Sequence, residues 1–119
     1  MISSGGSMID TAKKLKSMNA KRVFICCTFG LFTEGLGLFD EAYEKCYFDK
    51  IITTNLSYQI PELLSRPYYI EADMGKFLAS IIDFMNHDSS MANVYTPTEK
   101  IREFLLHYNN REDRYSLKD

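Results

Sequence analysis

The residues best suited to chemistry lie at the start of the chain, where Ser3, Ser4, Gly5, Gly6 and Ser7 lead directly into a predicted helix. Glycines let successive backbone N–H groups turn inward and let a phosphate come close to the main chain. Serine hydroxyls add hydrogen-bond donors, and the helix N-terminus adds its partial positive charge. The segment therefore predicts a phosphomonoester-binding loop, although a flexible Gly/Ser leader before a helix would have the same composition. It is not a Walker A loop, because no Gly-Lys-Ser/Thr follows.

The bulk composition indicates one globular domain. The chain has 119 residues, of which 45% are hydrophobic and 25% are charged, as in ordinary globular proteins with one core. The net charge is -2 and basic residues are scattered, which argues against a nucleic-acid-binding surface. We find no signal peptide, and no apolar run approaches the roughly 20 residues that span a bilayer. The sequence predicts a soluble, cytoplasmic protein.

Cysteine and histidine residues show no metal-binding pattern. Cys26, Cys27 and Cys46 lack metal-ligand spacing and are predicted to be buried, reduced thiols. His87 and His107 have no cysteine or carboxylate cluster at ligand spacing and are predicted to be solvated. The residues alone therefore assign no metal site.

Helices and strands alternate along the sequence. Apolar residues at helical spacing predict helices at residues 8–18, 38–48, 74–87 and 96–108, and runs of β-branched and aromatic residues predict strands at residues 22–29, 50–55 and 68–72. This alternation predicts an α/β fold, a three-layer arrangement of a parallel sheet with helices on both faces. Residues 1–95 are assigned to the main domain, and residues 96–119 to a C-terminal helix and a frayed tail.

Details of these elements give further expectations. The continuous apolar run at residues 22–29 is typical of a strand buried on both faces. The second helix has Leu38, Ala42 and Cys46 on one apolar stripe, and the last has a capping box that starts at Thr96. The third helix has the clearest apolar face, suited to docking on a sheet, which comprises Phe77, Leu78, Ile81, Ile82 and Met85.

The position of the Gly/Ser loop is unusual for this fold class. In parallel α/β folds, ligand loops follow the carboxyl ends of strands and lead into helices. Here no strand precedes Ser3, so the sequence predicts an α/β domain that lacks its beginning.

From residue 1 to about residue 95, the sequence resembles ribose-phosphate pyrophosphokinases (PRPP synthetases). "MISSGGSMIDTAKKLKSMNAKRVFICCTFGLF" is similar to the stretch that contains their ribose 5-phosphate loop and the helix and strand after it. "CTFGLFTEG" is similar to the family's Thr-His-Gly-x-Phe-Ser-Gly, with Thr28, Gly30, Phe32 and Thr33 at the matching positions. "IITTN" and "YYIEADMGKFLASII" resemble the family's later strands and last helix.

The resemblance implies an N-terminally truncated C-terminal domain of such an enzyme, which is an incomplete type I phosphoribosyltransferase-like fold. The family transfers the diphosphoryl group of ATP to the C1 hydroxyl of ribose 5-phosphate, with Mg²⁺, to make PRPP for nucleotide biosynthesis. Ser3 to Ser7 would bind the 5-phosphate. Gly5 and Gly6 would provide backbone N–H donors, and Ser4 and Ser7 would provide hydroxyl donors.

Departures from the family pattern limit what can be carried over. Ser3 stands where many members have an acidic residue, and Phe29 replaces the usual histidine. The family's acidic pair, its catalytic lysine and arginine, and most Mg²⁺ ligands correspond to positions before Met1. No catalytic residue is assigned, and the chain alone is expected to be inactive.

Two alternatives stay open at this stage. A non-catalytic binding or regulatory module could associate with full-length synthetase subunits, because the strand that begins near Val23 would have an unpaired edge. A nucleobase phosphoribosyltransferase would share the loop, but the "TFGLF" and C-terminal matches disfavour it. The expected partners are ribose 5-phosphate and ATP in the complete enzyme and further copies or full-length subunits, with no nucleic acid or membrane. Ser89 and Ser90 correspond loosely to a region that the family uses for nucleotide regulation.

Overall fold

The computed structural model describes residues 1–87 and 98–115. The chain divides into two compact units, Met1–Met74 and a second that starts at Gly75. The predicted domain boundary at residue 95 lies outside the described residues. The elements in chain order are α1 (Gly6–Ser17), β1 (Phe24–Cys27), α2 (Gly37–Glu44), β2 (Lys50–Thr54), α3 (Pro61–Leu64), β3 (Tyr69–Ala72), α4 (Gly75–Asn86) and α5 (Thr98–Tyr115).

A parallel sheet forms the centre of the first unit. Its three strands lie in the order β1-β2-β3, and Ile25, Ile51 and Tyr69 are aligned across them. These three side chains share one face and are buried. The α/β fold class and the parallel sheet are therefore confirmed, and the sheet is a partial one of three strands.

The opposite face of β1 differs from the sequence prediction. Phe24 and Cys26 alternate with Ile25 and are exposed, so the prediction of burial on both faces is wrong for this strand. Cys46 is also exposed, and Cys27 is only partly buried. The expectation of buried thiols is therefore wrong for Cys26 and Cys46. An apolar run shows that a strand can be buried, but the surrounding elements decide which face is covered.

Helix α2 packs through a stripe that shares only Ala42 with the predicted one. Phe39 and Ala42 are its buried residues, whereas Leu38 is 42% exposed. The helix ends at Glu44, and Cys46 has a left-handed backbone with φ 57°. Because the helix stops early, Cys46 cannot continue its apolar stripe, and the larger Phe39 takes the central core position.

A charged and aromatic cluster ties α2 to the segment between α3 and β3. Arg66 donates to both carboxylate oxygens of Asp40, at 2.9 Å from Nε and 2.8 Å from Nη2. The Tyr68 hydroxyl, on a side chain that is almost fully buried, donates to Asp40 Oδ1 at 2.7 Å. Burial, followed by the neighbouring Asp40, raises the pKa of Tyr68.

The second unit consists of α4 and α5 within the described residues. No residue of α4 is buried, and its predicted apolar face includes Phe77 and Met85, both exposed. Helix α5 is longer than predicted and continues to Tyr115. The predicted cap at Thr96 and the segment of Ser89 and Ser90 lie outside the described residues. None of the described helices combines the length and the hydropathy needed to cross a membrane.

Candidate functional site

A short parallel pairing anchors the Gly/Ser loop. Ile2 pairs with Gly30 in a parallel bridge, with its N–H donating to the Phe29 carbonyl at 2.8 Å and its carbonyl accepting from the Leu31 N–H at 2.8 Å. Ile2 is 1% exposed. The loop therefore starts beside the segment that follows the carboxyl end of β1, the edge at which parallel α/β proteins bind ligands.

Ser3 is attached to the same segment. The Thr33 N–H donates to the Ser3 carbonyl at 3.2 Å, and the two side-chain hydroxyls are 3.3 Å apart. Both residues belong to stretches singled out from the sequence, but their direct contact joins positions 30 residues apart. Ser3 thus attaches the loop to the segment at Thr33, and it is also a candidate ligand contact.

Gly5 makes the turn from the loop into α1. Its backbone is left-handed, with φ 86° and ψ -8°, a conformation that costs other L-residues energy. Its carbonyl accepts the N–H groups of Met8 at 3.1 Å and Ile9 at 3.0 Å, which starts the helix. The ring of Phe39 occupies the space where a side chain on Gly5 would lie.

The loop leaves consecutive backbone donors unused. Among residues 1–87 and 98–115, no hydrogen-bond acceptor is found for the N–H groups of Ser4, Gly5, Gly6 and Ser7. These groups lie at the N-terminus of a 12-residue helix with no acidic residue in its first turn, so no carboxylate of that turn offsets the partial positive charge of the helix end. The arrangement can bind an anion through its main chain.

Aromatic rings of the hydrophobic core pack against the loop at Gly5. The rings of Phe39 and Phe32 meet edge to face with centroids 5.0 Å apart, and Phe32 meets Tyr69 in the same way at 6.4 Å. The Tyr69 hydroxyl lies 2.7 Å from the Thr53 hydroxyl. A continuous set of packed side chains therefore connects Gly5 to β2 and β3. Sequence reasoning missed Phe39, and its size at a helical position next to Leu38 was the available signal.

Polar residues also gather at the carboxyl ends of β2 and β3. Asn55 Nδ2 donates to Asp73 at 2.9 Å, and Asn55 Oδ1 accepts the Met74 N–H at 2.9 Å. The Thr54 hydroxyl donates to the Thr28 carbonyl at 2.6 Å. A cleft of about 290 Å³ lies at these strand ends, and its walls are Cys26, Cys27, Thr28, Ile52, Thr53, Thr54 and Ala72. None of the loop residues lines this cleft.

The loop does not fit a magnesium site on its own. Mg²⁺ prefers carboxylate, phosphate and water oxygens in an octahedral arrangement, and Ser3 to Ser7 include no carboxylate. Within the part of the chain that the structure describes, no three His, Cys, Asp or Glu side chains are grouped so that they could hold a metal ion. We therefore assign no chemical step to a metal bound by these residues.

Comparison with known proteins finds a similarity over most of the chain. The chain is 25% identical over 97 residues to the ribose-phosphate pyrophosphokinase of Mycoplasmopsis pulmonis (strain UAB CTIP). The match covers 80% of this chain and 29% of that protein, so the chain spans less than a third of the length of this relative. No family model matches the sequence.

Proposed function

We propose that this chain is part of a ribose-phosphate pyrophosphokinase and that its loop from Ser3 to Ser7 binds the 5-phosphate of ribose 5-phosphate. One observation is central to the proposal: the N–H groups of Ser4, Gly5, Gly6 and Ser7 have no acceptor among the described residues and lie at the N-terminus of α1. The similarity to a ribose-phosphate pyrophosphokinase supports the choice of sugar phosphate.

The geometry suits a phosphate dianion. Gly6 has open space where a Cβ would be, with no atom within 4 Å, so a phosphate can approach its N–H closely. Hydrogen bonds from N–H groups to an anion are shorter and stronger than those between neutral groups. In the proposed complex, the Ser4 and Ser7 hydroxyls add donors, while Gly5 sets the direction of the loop.

The complete reaction needs groups that this chain does not supply. Diphosphoryl transfer depends on positioning and on charge neutralisation by metal ions and cationic groups. In our proposal, ATP and Mg²⁺ bind mainly to parts of the complete enzyme outside these residues, and this chain alone is inactive. Its own contribution is to hold the phosphate end of the acceptor sugar so that the C1 hydroxyl is presented at a fixed distance.

A titration followed by ¹H–¹⁵N NMR tests the proposal. Ribose 5-phosphate is expected to shift the amides of Gly5, Gly6 and Ser7 saturably, whereas ribose is expected to shift none of them. Inorganic phosphate, as a third ligand, is expected to bind the same amides more weakly. Equal affinities for inorganic phosphate and ribose 5-phosphate would show a general anion site and remove the support for the sugar phosphate. A well-dispersed spectrum with no response would overturn the proposal.

Two glycines provide a matched pair of variants. Gly6 and Gly37 are each the first residue of a helix, and each has open space at the position of a Cβ. We expect Gly6→Ala to weaken ribose 5-phosphate binding about tenfold, the size of one charge-assisted hydrogen bond, because a methyl group would fill the open space at Gly6 that the proposal gives to the phosphate. Gly37→Ala is expected to leave the affinity unchanged. Equal effects of the two substitutions would contradict the assignment of Gly6 to the site.

A further inference from the structure

We propose that Thr33 is a positioning residue for phosphate binding, which acts through Ser3. Its link to Ser3 holds the unused backbone donors of the loop in place and leaves the Ser3 hydroxyl free to donate to the ligand. Thr33 itself does not contact the phosphate. The inference rests on the proposed function, because it concerns how the same loop binds a phosphate group, and it gives a role to a side chain outside that loop.

The backbone just before Thr33 is strained. Phe32 has a left-handed backbone, with φ 49°, which is costly for a residue with a bulky side chain. Such strain persists only where the surrounding structure fixes it, and it is concentrated at ligand clamps and other functional sites. Here the buried Phe32 ring packs edge to face against Phe39 and Tyr69, and a Cβ on Gly30 would lie 2.6 Å from it. The core therefore sets the direction in which the chain leaves Phe32.

The turn that follows brings Thr33 to the loop. The Gly35 N–H donates to the Phe32 carbonyl at 3.0 Å and closes the turn. Within it, the Thr33 N–H donates to the Ser3 carbonyl at 3.2 Å, and the Thr33 and Ser3 hydroxyl oxygens are 3.3 Å apart. Because the first unused donor belongs to Ser4, the next residue, these two links fix the point at which the binding loop starts.

The two hydroxyls form a chain of hydrogen bonds once an anion is bound. Each carries one proton, and neither has another partner among residues 1–87 and 98–115. With Thr33 as the donor to Ser3, the Ser3 proton is free to donate to a phosphate oxygen. Hydrogen bonds in such a chain strengthen one another. The present distance is longer than the usual value of about 2.7–2.8 Å, and we expect it to shorten when phosphate polarises the Ser3 hydroxyl.

Three variants of the full chain test the role of Thr33 by ¹H–¹⁵N NMR titration with ribose 5-phosphate and, separately, with inorganic phosphate. Thr33→Val removes the hydroxyl but keeps the branched shape and the backbone N–H, whereas Thr33→Ser keeps the hydroxyl. Thr11→Val is the matched control. The Thr11 hydroxyl is also exposed and donates to the Ser7 carbonyl, at 2.8 Å, within α1, so its loss leaves the unused N–H donors and Ser3 untouched.

We expect Thr33→Val to weaken the binding of both ligands by the same factor, about fivefold, the size of one hydrogen bond. The factor is the same because Thr33 acts on the phosphate group that the two ligands share. Thr33→Ser is expected to bind within about twofold of the parent chain, and Thr11→Val to bind as the parent does. In the free chain, Thr33→Val is expected to lower the ¹⁵N order parameters of Ser4 and Gly5. The urea midpoint is expected to stay close to that of the parent, because the lost hydroxyl is exposed.

Unchanged affinity in Thr33→Val, no recovery in Thr33→Ser or an equal loss in Thr11→Val would overturn the inference while the parent chain still binds ribose 5-phosphate. A failure of the proposed function gives a different result. If the parent chain bound both ligands equally, the sugar-phosphate assignment would fail, and the effect of Thr33→Val on inorganic phosphate would still decide the role of Thr33. If the parent chain bound neither ligand, the proposed function and this inference would both be overturned.

Discussion

A Cβ atom built on Gly5 would lie 2.1 Å from Cζ of Phe39, and two further ring atoms would be within 2.9 Å. Phe39 is fully buried and belongs to α2, 34 residues further along the chain. The absence of a side chain at Gly5 thus lets α2 pack directly beneath the turn that leads into α1. The loop with its unused donors therefore depends on the packing of an aromatic ring from a different helix.

We predict that Gly5→Ala destabilises the protein by about 2–4 kcal/mol, which combines the cost of a left-handed backbone with that of overpacking against Phe39. Gly6→Ala is the control, because it lies one residue further into the same helix with open space around it. It is expected to be neutral or to stabilise by up to about 1 kcal/mol. Urea unfolding followed by circular dichroism measures both. Similar midpoints for the two variants would show that the contact with Phe39 does not restrict Gly5.

We predict that the Asp40 carboxylate stabilises the fold mainly by accepting the hydrogen bond of the Tyr68 hydroxyl. Asp40→Ala leaves the buried Tyr68 hydroxyl without the acceptor that it has at 2.7 Å, which costs about 1–3 kcal/mol. Replacing Tyr68 by Phe in the same variant removes the unpaired hydroxyl. We therefore expect the double variant to be at least as stable as Asp40→Ala alone in urea unfolding. A strictly additive further loss would show that the hydroxyl was not the source of the effect.

The hydroxyl pair of Thr53 and Tyr69 is predicted to be coupled. The two oxygens are 2.7 Å apart in a buried position. Thr53→Val leaves the Tyr69 hydroxyl without this partner, and Tyr69→Phe leaves the Thr53 hydroxyl only its longer hydrogen bond to the Thr54 carbonyl at 3.4 Å, so each single substitution is expected to cost about 1–3 kcal/mol. The double variant removes both hydroxyls and is expected to lose about 1 kcal/mol less than the sum of the single variants. A double-mutant cycle on the free energy of unfolding measures this difference. A coupling energy near zero would contradict the pairing.

Asp49 is predicted to make stability depend on acidic pH. Its Oδ2 accepts the Val23 N–H at 2.8 Å, the largest cause that lowers the pKa of this carboxyl, and Lys16 and Arg22 nearby lower it further. A carboxyl whose pKa is lower in the folded state stabilises above its unfolded pKa, and this contribution is lost as the pH falls through the folded value. The loss is therefore expected from about pH 4 downward.

Two variants separate the causes of this pH dependence. Asp49→Asn is expected to be less stable than the parent chain at pH 7, with a difference that narrows below about pH 4. Lys16→Met is expected to keep most of the loss of stability at acidic pH, because the Val23 N–H still donates to Asp49 and still lowers its pKa. Urea midpoints measured across the pH range test both. If Lys16→Met abolished the dependence as fully as Asp49→Asn, the ion pair rather than the backbone N–H would be its source.

Much of the local structure was predictable from the sequence because it depends on neighbouring residues. The spacing of apolar residues predicted α1 and α4, and the β-branched runs predicted β1, β2 and β3 close to their observed bounds. Helix α3 was missed because its four residues are too few to show a helical period. The phosphate-binding role of the loop from Ser3 to Ser7 stays a prediction.

Contacts between distant residues were decided only in the tertiary structure. The sequence by itself determined that Gly5 and Gly6 could form a loop at the start of a helix, because glycine has no Cβ and therefore has a wide choice of backbone conformations in any surroundings. That Gly5 must be glycine follows from the Phe39 ring beside it, and that Phe24 is exposed while Ile25 is buried follows from which face the helices cover. Local propensity acts over a few residues, whereas packing selects among the faces and partners that propensity leaves equivalent.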